Sequence, residues 1–108
     1  MTTLIAYTTL PDQDVADRLA RTLVSERLAA CVSRVPGVMS TYRWQGKVHI
    51  DAEVLLLIKT TSERFDALRE RLVALHPYEL PELIAVDIAT GHAPYLDWLR
   101  RETEIHSP

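Results

Sequence analysis

The sequence has one cysteine, three glycines, two lysines and no apolar run near the ~18 residues of a membrane span. A lone Cys31 excludes an internal disulfide framework and suits a reducing compartment. So few glycines leave no Gly-rich phosphate loop. Neither a nucleophile elbow nor a Ser/His/Asp order is present, so the residues give no support for an enzyme. Net charge is −3, which argues against a nucleic-acid or anionic-membrane surface. The start M-T-T-L-I-A-Y lacks the basic end and long apolar core of a signal peptide. These absences point to a soluble cytoplasmic protein with no nucleic-acid or membrane partner.

What is present fits one domain over residues 1–108, with 47% hydrophobic residues to build a core. The most regular stretch is Lys47–Thr60, where Val48, Ile50, Ala52, Val54, Leu56 and Ile58 share one face. Lys47, His49, Asp51 and Glu53 share the other, a period of two that predicts a half-buried strand. At about 3.3 Å per residue this strand runs about 45 Å. A compact domain of this length is only about 35 Å across. Either the strand bends sharply, or its first half packs on another copy of the chain.

The other elements follow from local signals. Thr2–Thr9 is β-branched, apolar and uncharged, which predicts a buried central strand. Asp12 is placed to cap a helix carrying Val15, Ala16, Leu19, Ala20, Leu23 and Val24 on one stripe. Leu28–Val32 leads into a second strand, interrupted at Pro36-Gly37 by a type II turn and resumed over Val38–Arg43. Trp44-Gln45-Gly46 turns the chain into the long strand. Gln resists positive φ, so a three-residue loop is expected, setting Tyr42 opposite Val48 and Val38 opposite Ala52. Thr60-Thr61-Ser62 offers caps for a second helix with Phe65, Leu68, Leu72 and Leu75 inward, and His76-Pro77 stops it. Leu83–Ala89 reads as the last strand. Pro94 opens a terminal helix that buries Tyr95, Trp98 and Leu99, and the tail from Glu104 to Pro108 frays. The order β-α-β-β-α-β plus a helix is an α+β, ferredoxin-like subunit with an antiparallel sheet and a long β-hairpin.

Several residues carry potential chemistry. His76-Pro77-Tyr78-Glu79-Leu80-Pro81-Glu82 packs an imidazole, a phenol and two carboxylates between prolines that fix its shape. It is either a rigid turn or a ligand site, and as a metal site it lacks any spacing signature. His49, Asp51 and Glu53 fit the solvated side of a strand better than an ion site, since they cannot close on one ion alone. Cys31 reads as a small buried hydrophobe, or as a soft metal ligand with partners from elsewhere. Tyr42 and Trp44 near the hairpin tip suit an interface. Lys59 is a surface lysine, or the partner of an anion or carboxylate near His76. RNA recognition is disfavoured because the middle strands carry Leu, Val and Ile rather than aromatic and basic residues. An acylphosphatase reading lacks its anion-cradling loop after the first strand.

Six separated stretches, in order, resemble the CutA family of divalent-cation tolerance proteins. They are T-T-L-P-D, L-A-A-C-V, S-T-Y-R-W-Q-G-K-V, E-V-L-L-L-I-K-T, H-P-Y-E-L-P-E and Y-L-D-W. The family's hairpin usually reads W-E-G, so Gln45 departs from it and removes a tip carboxylate. The resemblance implies a homotrimer whose long strands reach a neighbouring subunit, similar in architecture to the PII signalling trimers with their inter-subunit clefts. It implies no reaction and no required cofactor, but a response to divalent cations such as Cu2+. By matching motif it implies His76, Glu79 and Cys31 as metal ligands, and Lys59, Tyr78, Tyr42 and Trp44 as cleft residues. The alternatives it leaves are a PII-like regulator holding a small anion, or a structural trimer that presents a surface.

Overall fold

The computed structural model describes residues 2–105, so residues 106–108 of the expected frayed tail lie outside the described residues. In chain order it forms β1 (Thr3–Leu10), α1 (Gln13–Ser25), β2 (Cys31–Trp44), β3 (Lys47–Thr61), α2 (Phe65–Leu75), β4 (Ile84–Asp87) and α3 (Ala93–Glu102). The sheet order is β2-β3-β1-β4 and every pairing is antiparallel. This is the expected α+β, ferredoxin-like order, and β1 is an inner strand as its uncharged run predicts. Among the described residues no helix is long and apolar enough to cross a membrane.

One face of the sheet holds the core. Ala6 and Leu10 of β1 and Val54, Leu56 and Ile58 of β3 pack against Ala16, Leu19 and Leu23 of α1 and Leu68 and Leu72 of α2. The Asp12 carboxylate caps α1 by accepting from the Val15 N–H at 2.9 Å. His76 takes an extended ψ of 135° before Pro77, which ends α2 as expected. The alternate face carries Ile5, Tyr7, Leu55, Leu57 and Lys59 and is partly covered by α3, through fully buried Leu99. Tyr95 of that helix is exposed, contrary to expectation.

Three local expectations are corrected. Pro36-Gly37 does not break β2 in two: Val35 pairs Leu55 and Val38 pairs Glu53, leaving one extra residue as a β-bulge. Gly37 does take the positive φ of 78°, and the missing Pro36 N–H is tolerated because β2 is an edge strand. The hairpin loop is two residues, not three, with Gln45 at φ 51° and Gly46 at φ 78°. Tyr42 therefore pairs His49 and Val38 pairs Glu53, which moves Tyr42 to the polar face. The Tyr42 ring stacks on His49 at 5.4 Å and its hydroxyl donates to Asp51, contacts that outweigh the strain of one left-handed Gln. Gln45→Asn is accordingly expected to stabilise the protein by about 0.5–1 kcal/mol, read as a higher denaturant midpoint at unchanged slope. Finally, Thr60 and Thr61 do not cap α2. Both are buried in the β1–β3 ladder, and the Thr60 hydroxyl donates to the Leu28 carbonyl at 2.7 Å. Arg64 precedes α2 without a side-chain cap.

The molecule measures 46 × 31 × 22 Å, so the long strand is accommodated by elongation. Beyond the reach of α1 and α2, the hairpin arm exposes Met39 (62%), Val48 (63%) and Ile50 (65%) on one face. On the other side of the sheet, the edge strand β4 exposes Ile84 and Val86.

Candidate functional site

The site is built around His76, which the stop of α2 places beneath the end of β1. Its ring is buried, with Nε2 2.9 Å from the Thr9 carbonyl and Nδ1 3.2 Å from the Tyr78 backbone nitrogen. A backbone N–H only donates, so Nδ1 is the acceptor and Nε2 carries the proton that it gives to Thr9. The imidazole is held neutral: burial lowers its pKa, outweighing the opposing pull of the Thr9 carbonyl and Glu53. Both ring nitrogens are committed to the backbone, so His76 fixes the turn that aims Tyr78.

The Tyr78 phenol donates to Glu53 Oε2 at 2.7 Å. Its pKa is pushed above the ordinary tyrosine range, chiefly by burial and then by the Glu53 carboxylate, so it stays a donor. Two residues along β3, the Tyr42 hydroxyl donates to Asp51, and that hydrogen bond raises its pKa as well. Glu53 is only 8% exposed, yet no cationic side chain among the described residues lies within ion-pair distance of it. Removing its one phenol partner is costly for a buried carboxylate. Tyr78→Phe should lower stability by about 1–3 kcal/mol in chemical denaturation, and an unchanged midpoint would rule out the bond.

Between the hairpin arm and the segment after α2 lies a cleft of about 750 Å³. Its walls include Tyr42, Trp44 and Tyr78, and its acidic lining is Asp51, Glu53, Glu79 and Glu82 against the single guanidinium of Arg43. The structure thus gathers Tyr42, Trp44 and Tyr78, three of the four expected cleft residues, with Glu79, one of the three expected metal ligands. It adds Asp51 and Glu53, which had been read as the solvated side of the strand. The available signal was that Glu53 is the last polar residue before both strand faces turn apolar.

Cys31 and Lys59 lie elsewhere. They pair across β2 and β3, with Lys59 Nζ 3.7 Å from Cys31 Sγ and donating to Ser33 Oγ at 2.7 Å. Thr9, which holds His76, pairs with Leu55, four residues along β3 from Lys59 and so about 13 Å away. Within one chain Lys59 does not meet the His76 segment, and Cys31 does not meet His76 or Glu79. No three His, Cys, Asp or Glu side chains among the described residues converge to hold a metal ion.

An antiparallel double split β-α-β fold with an overlong hairpin and an acidic, aromatic cleft defines a ferredoxin-like α+β protein. The comparisons place it further: the chain belongs to the CutA1 divalent ion tolerance protein family, whose model matches residues 4–102. It is 54% identical over 99 residues to the divalent-cation tolerance protein CutA of Thermus thermophilus, covering 92% of this chain and 96% of that protein. It is 46% identical over 99 residues to human protein CutA, covering 92% of this chain but 55% of that longer protein. The crystal structure of CutA1 from Oryza sativa superposes with a TM-score of 0.93 at 46% identity, covering 96% of this chain and 95% of that one. The solved Thermus thermophilus protein gives a TM-score of 0.92 at 53% identity, covering 94% and 99%.

Proposed function

We propose that this protein serves divalent-cation tolerance, copper included, as a non-enzymatic homotrimer that takes cations at the carboxylates of the Tyr42–Tyr78 cleft. The observation that carries the proposal is Glu53, a buried carboxylate with no cationic partner among the described residues, in an acid-lined cleft. Buried charges are normally paired, so such a group favours a cation. The same charge balance disfavours the alternative of a small anion held there, PII-fashion. Glu79, which lines the same cleft, is the second carboxylate ligand in this reading, and Trp44 walls the site. A ligand role for His76 requires the Tyr78 N–H to leave Nδ1. One for Cys31, and for Lys59 as a cleft residue, requires a second copy to bring them alongside.

A second copy is favoured by the two exposed apolar patches. The hairpin strip of Met39, Val48 and Ile50 and the β4 strip of Ile84 and Val86 are different surfaces. Contact between unlike patches repeats around an axis, and a closed ring of three satisfies both on every copy. Incomplete coordination within one chain fits the same arrangement. The cytoplasm remains the proposed compartment on the strength of the lone cysteine. Relatives carry other addresses, chloroplastic in the Oryza sativa protein and periplasmic in that of Archaeoglobus fulgidus.

Calorimetric titration of the intact protein with Cu(II) tests the ligands. Glu53→Gln and Glu79→Gln should each weaken binding about tenfold or more, the loss of one charged ligand. His76→Gln and Cys31→Ser, run alongside, read those two roles directly. Binding unaltered in both glutamate variants would sink the cleft as the cation site.

A further inference from the structure

A cleft of about 750 Å³ is far larger than a metal ion needs and falls in the range of small-molecule sites. Its lining includes three aromatic side chains, Tyr42, Trp44 and Tyr78, a composition that suits an organic cation and adds nothing to a hydrated ion's coordination shell. Its charge is arranged in two acid–phenol pairs, Asp51 with Tyr42 and Glu53 with Tyr78. Asp51 and Glu53 lie two residues apart on one face of β3, hence about 6.5–7 Å apart. Each phenol supplies one hydrogen bond to its carboxylate, and the acceptor capacity left over calls for N–H donors rather than a quaternary ammonium. Glu53, buried and with no cationic side chain beside it among the described residues, supplies the demand for charge.

We propose that the cleft binds a small organic dication, an α,ω-diamine that sets one ammonium group against Asp51 and the other against Glu53. The proposal rests on the reading of the cleft as a cation site and shares nothing else with the metal reading. Putrescine fits the spacing, since its nitrogens stand about 6 Å apart when the chain is extended. Ethylenediamine, with nitrogens only about 4 Å apart, matches that spacing poorly, and butylamine has only one ammonium group.

The test is calorimetric titration of the full-length protein, at fixed ionic strength, with putrescine, ethylenediamine and butylamine in turn. Putrescine should bind saturably, one per chain, at least about tenfold tighter than either of the others, the loss expected for one charged contact. Asp51→Asn, which keeps an oxygen to accept from Tyr42 and whose fold far-UV circular dichroism checks, should bring putrescine down to the butylamine level. Glu53→Gln should do the same, with far-UV circular dichroism reporting its fold. Equal affinities for the three amines, no saturable binding, or putrescine binding untouched by Asp51→Asn would each overturn the proposal. Glu53-dependent binding of Cu(II) with no response to putrescine would overturn the diamine while leaving the cation site standing.

Discussion

Replacing His76 by alanine is expected to lower the unfolding free energy by about 3–4 kcal/mol at pH 7.5, read from the denaturant midpoint at fixed protein concentration. Two losses combine. The Thr9 carbonyl and the Tyr78 N–H each lose the imidazole partner, and the buried ring leaves a cavity where it packed against Tyr78 at 4.8 Å. The cost should spread to the cleft, because the His76 bond to the Tyr78 backbone sets where the phenol meets Glu53. His76 also predicts a pH dependence. Its folded pKa lies below the unfolded value of about 6.5, so above that value both states are neutral and stability is complete. As pH falls from about 6.5 toward the folded pKa, the unfolded chain binds a proton that the native chain refuses, and stability is lost. The wild-type midpoint should therefore fall between about pH 7.5 and pH 5, and His76→Gln should flatten that slope. Parallel slopes in the two proteins would remove His76 from the account.

What could be read from the sequence was local. Asp12 caps α1 because its acceptor lies three residues before the N–H it serves, and Pro77 ends α2 because it acts on its neighbour. The apolar stripe of α1 and the uncharged β1 likewise needed only periodicity. The misreadings involved contacts that the flanking residues alone do not reveal. Gln45 resists positive φ in isolation, yet the Tyr42 contacts with His49 and Asp51 fix a register that requires it. Thr60 has the chemistry of a helix cap, but the Leu28 carbonyl claims its hydroxyl from 32 residues away. Glu53 differs from its neighbour His49 only through Tyr78, 25 residues further on, which no strand pattern could bring to it. The aromatic residues of the cleft, with Glu79 and Glu82, were legible as motif, and Asp51 and Glu53 joined them only once the His76–Glu82 segment was folded over β3.

The exposed face of the hairpin leads to the remaining large effect, on assembly rather than on folding. Val48 and Ile50 sit on the face that, further along the same strand, is carried by fully buried Leu56 and Ile58, so the apolar pattern runs on where α1 and α2 no longer cover it. Left in water, each such side chain forgoes about 1.5–3 kcal/mol of burial, and Met39 beside them adds to the loss. A second copy recovers that energy at every hairpin of a ring. Substituting both Val48→Lys and Ile50→Lys sets ammonium groups where the apolar contact is needed, and burying them unpaired costs more than the contact returns. In light scattering the wild-type chain should weigh about three times its 12.3 kDa, and the double variant should weigh that of one chain. Its far-UV circular dichroism should be unchanged, because the arm lies outside the core cluster. A trimeric double variant would place the subunit contact on another surface. A monomeric wild type would leave the hairpin strip exposed, and would require all cation ligands to come from a single chain.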